Sequence, residues 1–246
     1  MTAPKMMIFD YGHTLGGELG FDGLKGTQAI MRHVVANPRG LSAQQVCAFA
    51  NKIFYEICGG PKVWGADIEL HNRNYQQLVY EYLQLEFDVP LADIEEIFWD
   101  AAAPGVAMPN AGEMLDYLAG RGIRTGVISN ISFSGASLAA RMGRLLPNNT
   151  FEFVIASSEY MIRKPNPMIF ELALRKANLA AGDVWYCGDS PRADIAGANA
   201  VGIYPVWYEN KTLENPFREK NYTQPTCEHL HIHDWREMVA VLEGLV

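Results

Sequence analysis

Four stretches of the 246-residue chain set charged or hydroxyl side chains directly behind short apolar runs. Near the start, MMIF leads into Asp10, with Gly12, His13 and Thr14 following in DYGHTL. Further on, VIS ends in Ser129 and Asn130, RKPNP carries Lys164, and YCGDSPRAD carries Asp189 and Asp194. A carboxylate at the end of a buried strand is costly to desolvate unless it has a partner. In an open parallel sheet, ligands bind beyond the carboxyl ends of the strands. The three carboxylates, the Ser129 hydroxyl and the Lys164 ammonium are therefore expected at one edge of a sheet.

Three neighbouring carboxylates repel and raise one another's pKa. A hard divalent cation resolves the conflict, and Mg²⁺ typically takes one or two carboxylates plus phosphate oxygens. Lys164 and Ser129 suit a phosphoryl group. An Asp carboxylate can itself take that group as a nucleophile, with the metal masking the repulsion between them.

The elements that must position these residues read as alternating strands and helices. Apolar, β-forming runs lie at 6–10, 124–129, 151–156, 184–187, 203–207 and 229–233, with helical patterns between most of them. The helix NAGEMLDYLAGRG stops at Gly122, a left-handed cap. The helix PMIFELALRKANL carries Ile169, Phe170, Ala173, Leu174 and Ala177 on one face. This alternation predicts an α/β fold with a parallel sheet and helices on both sides. About a hundred residues separate the first run from the second, and they read as helices only. Ser42 and Gln45 form a capping-box pattern. Behind it, Val46, Phe49, Ile53 and Ile57 fall on one face, and further helical patterns run through 75–85 and 92–103. The tyrosines of this insert and Trp64 read mostly as core, with one or two near the sheet edge lining a pocket.

With FDYGHTL, VISN, RKPNPMIFELA and YCGDSPRADIAGANAVG in this order, the chain resembles the haloacid dehalogenase superfamily. The resemblance implies a Rossmann-like parallel sheet core at 1–15 and 108–246, and an inserted all-helical cap at 16–107. It implies Asp10 as nucleophile and metal ligand, with the Gly12 carbonyl and Asp189 also on Mg²⁺. Asp194 would bind the metal through water or support the site. Ser129 and the Asn130 backbone would hold the phosphate, and Lys164 would bridge phosphate and nucleophile. The activity implied is that of a Mg²⁺-dependent phosphatase acting on a small phosphorylated metabolite through an aspartyl-phosphate. The chain departs from the family pattern at three places. Gly12 stands where phosphatases usually carry the Asp that protonates the leaving group and later activates water. His13 and Met161 stand where Gly is common. His13 is read as structural before catalytic, with proton donation as its other role.

Three alternatives compete. A haloacid dehalogenase would not need Asp189 and Asp194 around a metal. A phosphonate hydrolase shares a small residue at position 12 but needs a cap lysine, and Lys52 points away from the apolar face of its helix. A catalytically weak ligand-binding member would account for Gly12, but not for keeping Asp10, Lys164 and Asp189 together, since unused clustered charge costs stability. Asp194 has a plain alternative as the cap of the helix through Ala196 and Ala200.

The net charge of −8, with no basic run beyond two residues such as Arg163-Lys164, argues against a nucleic-acid surface. The insert holds twelve acids and six bases, so it attracts no polyanion. No stretch reaches membrane-spanning length, and the first residues lack a signal-peptide core, so a cytoplasmic location is expected. Cys47, Cys58, Cys187 and Cys227 are expected as free thiols. Cys227, His229, His231 and His233 alternate along one strand. A zinc site there is the less favoured reading beside an ordinary last core strand.

Overall fold

The structure, a computed structural model, describes residues 2–58, 68–210 and 224–245. Trp64 lies outside them. The MMIF run is β1 (Met6–Phe9), and all four side chains are buried. A strand flanked on both sides by other parallel strands is covered on both faces, which is why it reads as a continuous apolar run. Met6 and Ile8 face one layer, where Phe170 and Ala173 pack, while Met7 and Phe9 face Leu118, Leu138 and Trp235 on the other. This is the two-residue alternation of a strand spread over two cores.

The remaining core strands are β6 (Arg124–Ser129), β7 (Phe151–Ala156), β8 (Val184–Gly188), β9 (Tyr204–Tyr208) and β10 (Leu230–Ile232). With β1 they form a six-stranded sheet in the order β10-β9-β8-β1-β6-β7, and every pairing is parallel. Each strand falls on one of the six apolar runs. From β1 the chain builds β6 and β7 on one side, then returns to place β8 on the other. The switch point therefore lies between β1 and β8, where a ligand crevice opens in such sheets. Gly122 takes φ +69° after the helix Ala111–Gly120, as its position after that helix predicts.

Between β1 and β6 lie α1 (Gly23–Ile30), α2 (Ala43–Glu56), α3 (Asn72–Leu83) and α4 (Leu91–Ala102). They enclose a cluster of their own around Ile30, Val46, Val79, Leu83 and Ile94. The Ser42/Gln45 capping box is formed at the start of α2. Two expectations need correction. The insert is not helices only. β2 (Gly16–Glu18) pairs antiparallel with β5 (Gly105–Ala107) where the chain leaves and re-enters the sheet layer, and β3 (Val34–Ala36) pairs antiparallel with β4 (Glu86–Phe87). Pairings of two or three residues are too short for a period-two pattern to register. Ile57 does not join the buried face of α2. It lies just past the last helical residue and is 68% exposed.

Candidate active site

Asp10 is the first residue beyond β1, and its N–H still donates to the Cys187 carbonyl of β8 at 2.9 Å. The ladder thereby fixes the backbone of Asp10 and leaves its carboxylate at the crevice. Lys164 approaches from the loop after β7. Its Nζ lies 2.8 Å from Asp10 Oδ1, 2.7 Å from Asp194 Oδ1, 2.7 Å from the Tyr186 hydroxyl and 3.0 Å from the Ile128 carbonyl. The loop is held by Asn130. Its Nδ2 donates to the Lys164 carbonyl at 2.9 Å, and its Oδ1 accepts the Lys164 N–H at 2.7 Å. The Asn130 side chain is thus spent on placing Lys164, and Ser129 beside it is buried at the end of β6.

Asp194 sits on a π-helical turn, Pro191–Ala196, whose N-cap is Ser190. The capping role weighed for Asp194 falls to Ser190, which accepts the Ala193 N–H at 3.1 Å. Asp194 Oδ2 accepts the Ser190 N–H at 2.9 Å, and its Oδ1 faces Lys164. This packing explains Gly188, where a Cβ would stand 2.3 Å from Asp194 Cγ. Only glycine lets the carboxylate settle against the end of β8. Asp189 follows, with its carbonyl accepting the Trp207 indole N–H at 3.2 Å.

One oxygen from each of Asp10, Asp189 and Asp194 lies within 4.8 Å of the others. Burial pushes the Asp10 carboxyl up to about 6, opposed by Lys164 and aided by the Asp194 charge. Burial also works against the Lys164 ammonium, but Asp10 and Asp194 outweigh it and raise its pKa, so Lys164 stays charged. One ammonium among three carboxylates leaves an excess of negative charge. An all-oxygen donor set with that excess fits a hard divalent cation of the Mg²⁺ kind.

Asp10, Gly12, Ser129, Asn130, Lys164, Asp189 and Asp194 all line one cavity of about 790 Å³. His13 lines it too, and the insert closes the far side with Tyr75, Tyr80 and Phe98. The pocket-lining tyrosines that the sequence left unspecified are therefore Tyr75 and Tyr80, with Tyr55 also reaching the wall. Sequence reasoning missed Tyr186, because a tyrosine inside a β-strand reads as ordinary core. It missed Glu69 as well. Glu69 Oε2 accepts from Ser157 Oγ at 2.7 Å and pairs with Arg163, joining the insert to the loop that carries Lys164. No sequence spacing links residue 69 to 157 and 163.

His13 and Met161 take φ +53° and +59°. These are the two places where glycine is common in the pattern the chain resembles, and a left-handed backbone is the physical reason for glycine there. Gly12 has no such constraint. A Cβ at this position would meet only Asp10 Oδ2, at 3.9 Å.

A family model described as haloacid dehalogenase-like hydrolase matches residues 15–202. The ribulose-1,5-bisphosphate 5-phosphatase of Halopiger xanaduensis is 30% identical over 46% of this chain and 47% of its own length. A glyceraldehyde 3-phosphate phosphatase of Pyrococcus abyssi is 33% identical over 42% of each chain. The chain thus spans about half the length of these relatives. The pyrimidine 5′-nucleotidase PynA of Streptococcus pneumoniae is 26% identical over 97% of this chain and 95% of its own. Among solved structures, a HAD phosphatase from Thermococcus onnurineus superposes with a TM-score of 0.60 at 18% identity, covering 99% of both chains. At that identity the match establishes the fold alone. Among the described residues, no helix is long and apolar enough to cross a membrane.

Proposed function

The chain belongs to the haloacid dehalogenase-like hydrolases, and from that premise we propose that it is a Mg²⁺-dependent phosphatase acting on a small phosphorylated metabolite. The observation that carries the reading is the Lys164 ammonium set between Asp10 and Asp194 at the switch point, with Asp189 completing the carboxylate group. Asp10, Asp189 and the Gly12 carbonyl would hold the metal, with Asp194 alongside. When bound, Mg²⁺ neutralises charge between carboxylate and phosphate.

The chain's own residues do the rest. Asp10 attacks phosphorus and the ester P–O bond breaks, so the electron pair leaves on the organic oxygen and an aspartyl-phosphate remains on Asp10. Lys164 and the Ser129 hydroxyl stabilise the phosphoryl oxygens as charge builds. Water then cleaves the acyl-phosphate and restores the Asp10 carboxylate. Asp194 orients Lys164. Gly12 offers no proton, so the leaving oxygen departs without the acid found at this position in related phosphatases. His13, on the cavity wall, is the nearest substitute in sequence.

Residues 16–107 act in this account as a cap that encloses the substrate and excludes water. A cavity of about 790 Å³ suits a metabolite rather than a protein side chain on its own surface. The phosphatase and nucleotidase names carried by these relatives support the same substrate class. A phosphonate hydrolase is disfavoured because Lys164 is the only lysine among the described residues lining the cavity, and Lys52 sits exposed on α2 beside Glu56. The test is a hydrolysis screen over many phosphate monoesters with Mg²⁺ or EDTA. Turnover with Mg²⁺, abolished by EDTA and weakened by Asp189→Ala, is expected. Hydrolysis that continues unchanged in EDTA contradicts the metal-dependent reading.

A further inference from the structure

We propose that Glu209, His231 and His233 form a second metal site, for a zinc-class transition-metal ion, at the outer edge of the sheet and separate from the carboxylates around Asp10. The topology brings the three together. β10 pairs with β9 in parallel, His231 opposite Trp207 and Ile232 opposite Tyr208. The Glu209 N–H continues the ladder by donating to the Ile232 carbonyl at 2.8 Å. His231 lies in the edge strand β10 and His233 directly follows it, two residues on, so the two project to the same side. Glu209 stands beside them on the neighbouring strand's extension.

Glu209 Oε2 lies 3.2 Å from His231 Nε2 and 3.8 Å from His233 Nδ1. One ligand atom from each of the three residues lies within 4.8 Å of the others. A tetrahedral zinc ion with bonds of about 2.0–2.1 Å holds its ligand atoms roughly 3.3 Å apart. The two carboxylate–imidazole separations are therefore already near that spacing, and the third lies within 4.8 Å. Two imidazoles and one carboxylate are a zinc donor set that leaves a fourth position for water. Nitrogen donors favour zinc, cobalt or nickel over magnesium, which the oxygen-only site at Asp10 would take. The rings are also held. His231 stacks on Trp207 with centroids 4.1 Å apart and planes at 11°, and meets His233 edge-on at 4.6 Å. His233 Nδ1 also lies 3.0 Å from the Glu209 carbonyl, a hydrogen bond that a metal on this nitrogen replaces.

The alternating Cys227, His229, His231 and His233 pattern is thus divided. His229 turns its Nδ1 to the Cys227 carbonyl at 2.8 Å, and Glu209 takes the place in the ligand group that the pattern gave to these two. A metal here ties β10 to the end of β9 immediately before the helix Trp235–Glu243. The indole N–H of Trp235 donates to the Thr14 carbonyl at 3.1 Å.

The experiment uses the full chain in excess MgCl₂, which occupies the oxygen site. Zinc is titrated by calorimetry, and Co²⁺ by its visible absorption and by quenching of tryptophan fluorescence through Trp207. One saturable Zn²⁺ per chain is expected, with a tetrahedral Co²⁺ spectrum and a Zn²⁺-dependent rise in Tm. His231→Ala with His233→Ala, and separately Glu209→Gln, should weaken binding by at least about 10-fold and remove the Tm shift. Asp189→Ala should leave Zn²⁺ binding unchanged. The absence of saturable binding in the wild type, or equal binding in the double histidine variant, overturns the proposal.

Discussion

In the proposed phosphatase reaction, position 12 is the weak point. A general acid there contributes roughly 10²- to 10⁴-fold in related chemistry, and glycine contributes none. In that reaction, attack by Asp10 would need only the metal and Lys164, so the cost would fall on the leaving group. The rate of the chemical step is therefore expected to fall steeply as leaving-group pKa rises, with aryl, acyl and anomeric phosphates ahead of alkyl ones. Gly12→Asp has room at its Cβ, 3.9 Å from the nearest Asp10 oxygen. It should flatten that dependence and raise alkyl phosphate turnover by about 10²-fold. Equal wild-type rates on alkyl and aryl esters would show that another residue already donates, and His13→Gln should then lose that donation. That the acids, Ser129 and Lys164 come together at one cavity was legible in the sequence because each follows an apolar run and their charges are complementary. The Asn130 clamp on Lys164 was not, because a side chain that serves another loop's backbone leaves no trace in local spacing.

Elements carry two further consequences. Met161 is 69% exposed and held at φ +59° just before the loop bearing Lys164, and its carbonyl accepts the Glu69 N–H at 3.0 Å. A left-handed backbone costs a non-glycine residue roughly 1–2 kcal/mol. Met161→Gly keeps the carbonyl and is expected to stabilise the protein by about 0.5–1 kcal/mol once the added freedom of the unfolded chain is counted. Denaturant unfolding measures this. Glu95 of α4 is fully buried at the start of the helix Gly135–Leu145. It accepts from the Ser134 and Ser137 hydroxyls and from Arg73 and Asn72. Burial pushes its carboxyl up, but these hydrogen bonds outweigh it and hold the pKa below the ordinary value. A depressed folded pKa gives stability that is present above the unfolded value, about 4.3, and lost as pH falls through the folded one. Glu95→Gln should cost about 2–3 kcal/mol at pH 7, with the gap to wild type narrowing as pH drops below about 4. A gap that is constant with pH would remove the carboxylate's charge from the account. The six sheet strands were legible because central parallel strands are almost entirely apolar, as in β1 and β8, and the edge strands β7 and β10 remain rich in β-forming residues despite Glu152 and His231. The ribbons β2–β5 and β3–β4 were not, because pairings of two or three residues carry no period-two pattern; β2–β5 forms where the chain enters and leaves the insert, β3–β4 within it.

At the scale of the whole molecule, the sequence predicts a chemical edge and a separate insert, but not how the two meet. That meeting is set by long-range pairs, Glu69 with Arg163 and Ser157, and Glu95 with Ser134, which no periodicity encodes. Together they leave a cavity with charged groups at the sheet end and tyrosines and Phe98 at the other. Under the proposed function that cavity has one task, transfer of a phosphoryl group to Asp10. The most direct measurement is Mg²⁺-supported hydrolysis of the best phosphate ester by wild type and by Asp10→Asn, with folding of the variant checked by circular dichroism and thermal unfolding. The amide is nearly isosteric but a far poorer nucleophile. The variant is expected to fold and its kcat to fall by about 10⁴-fold or more, with no labelled phosphate trapped on the chain after acid quench, whereas the wild type traps it. A folded Asp10→Asn variant that turns over at near the wild-type rate would contradict the proposed transfer to Asp10.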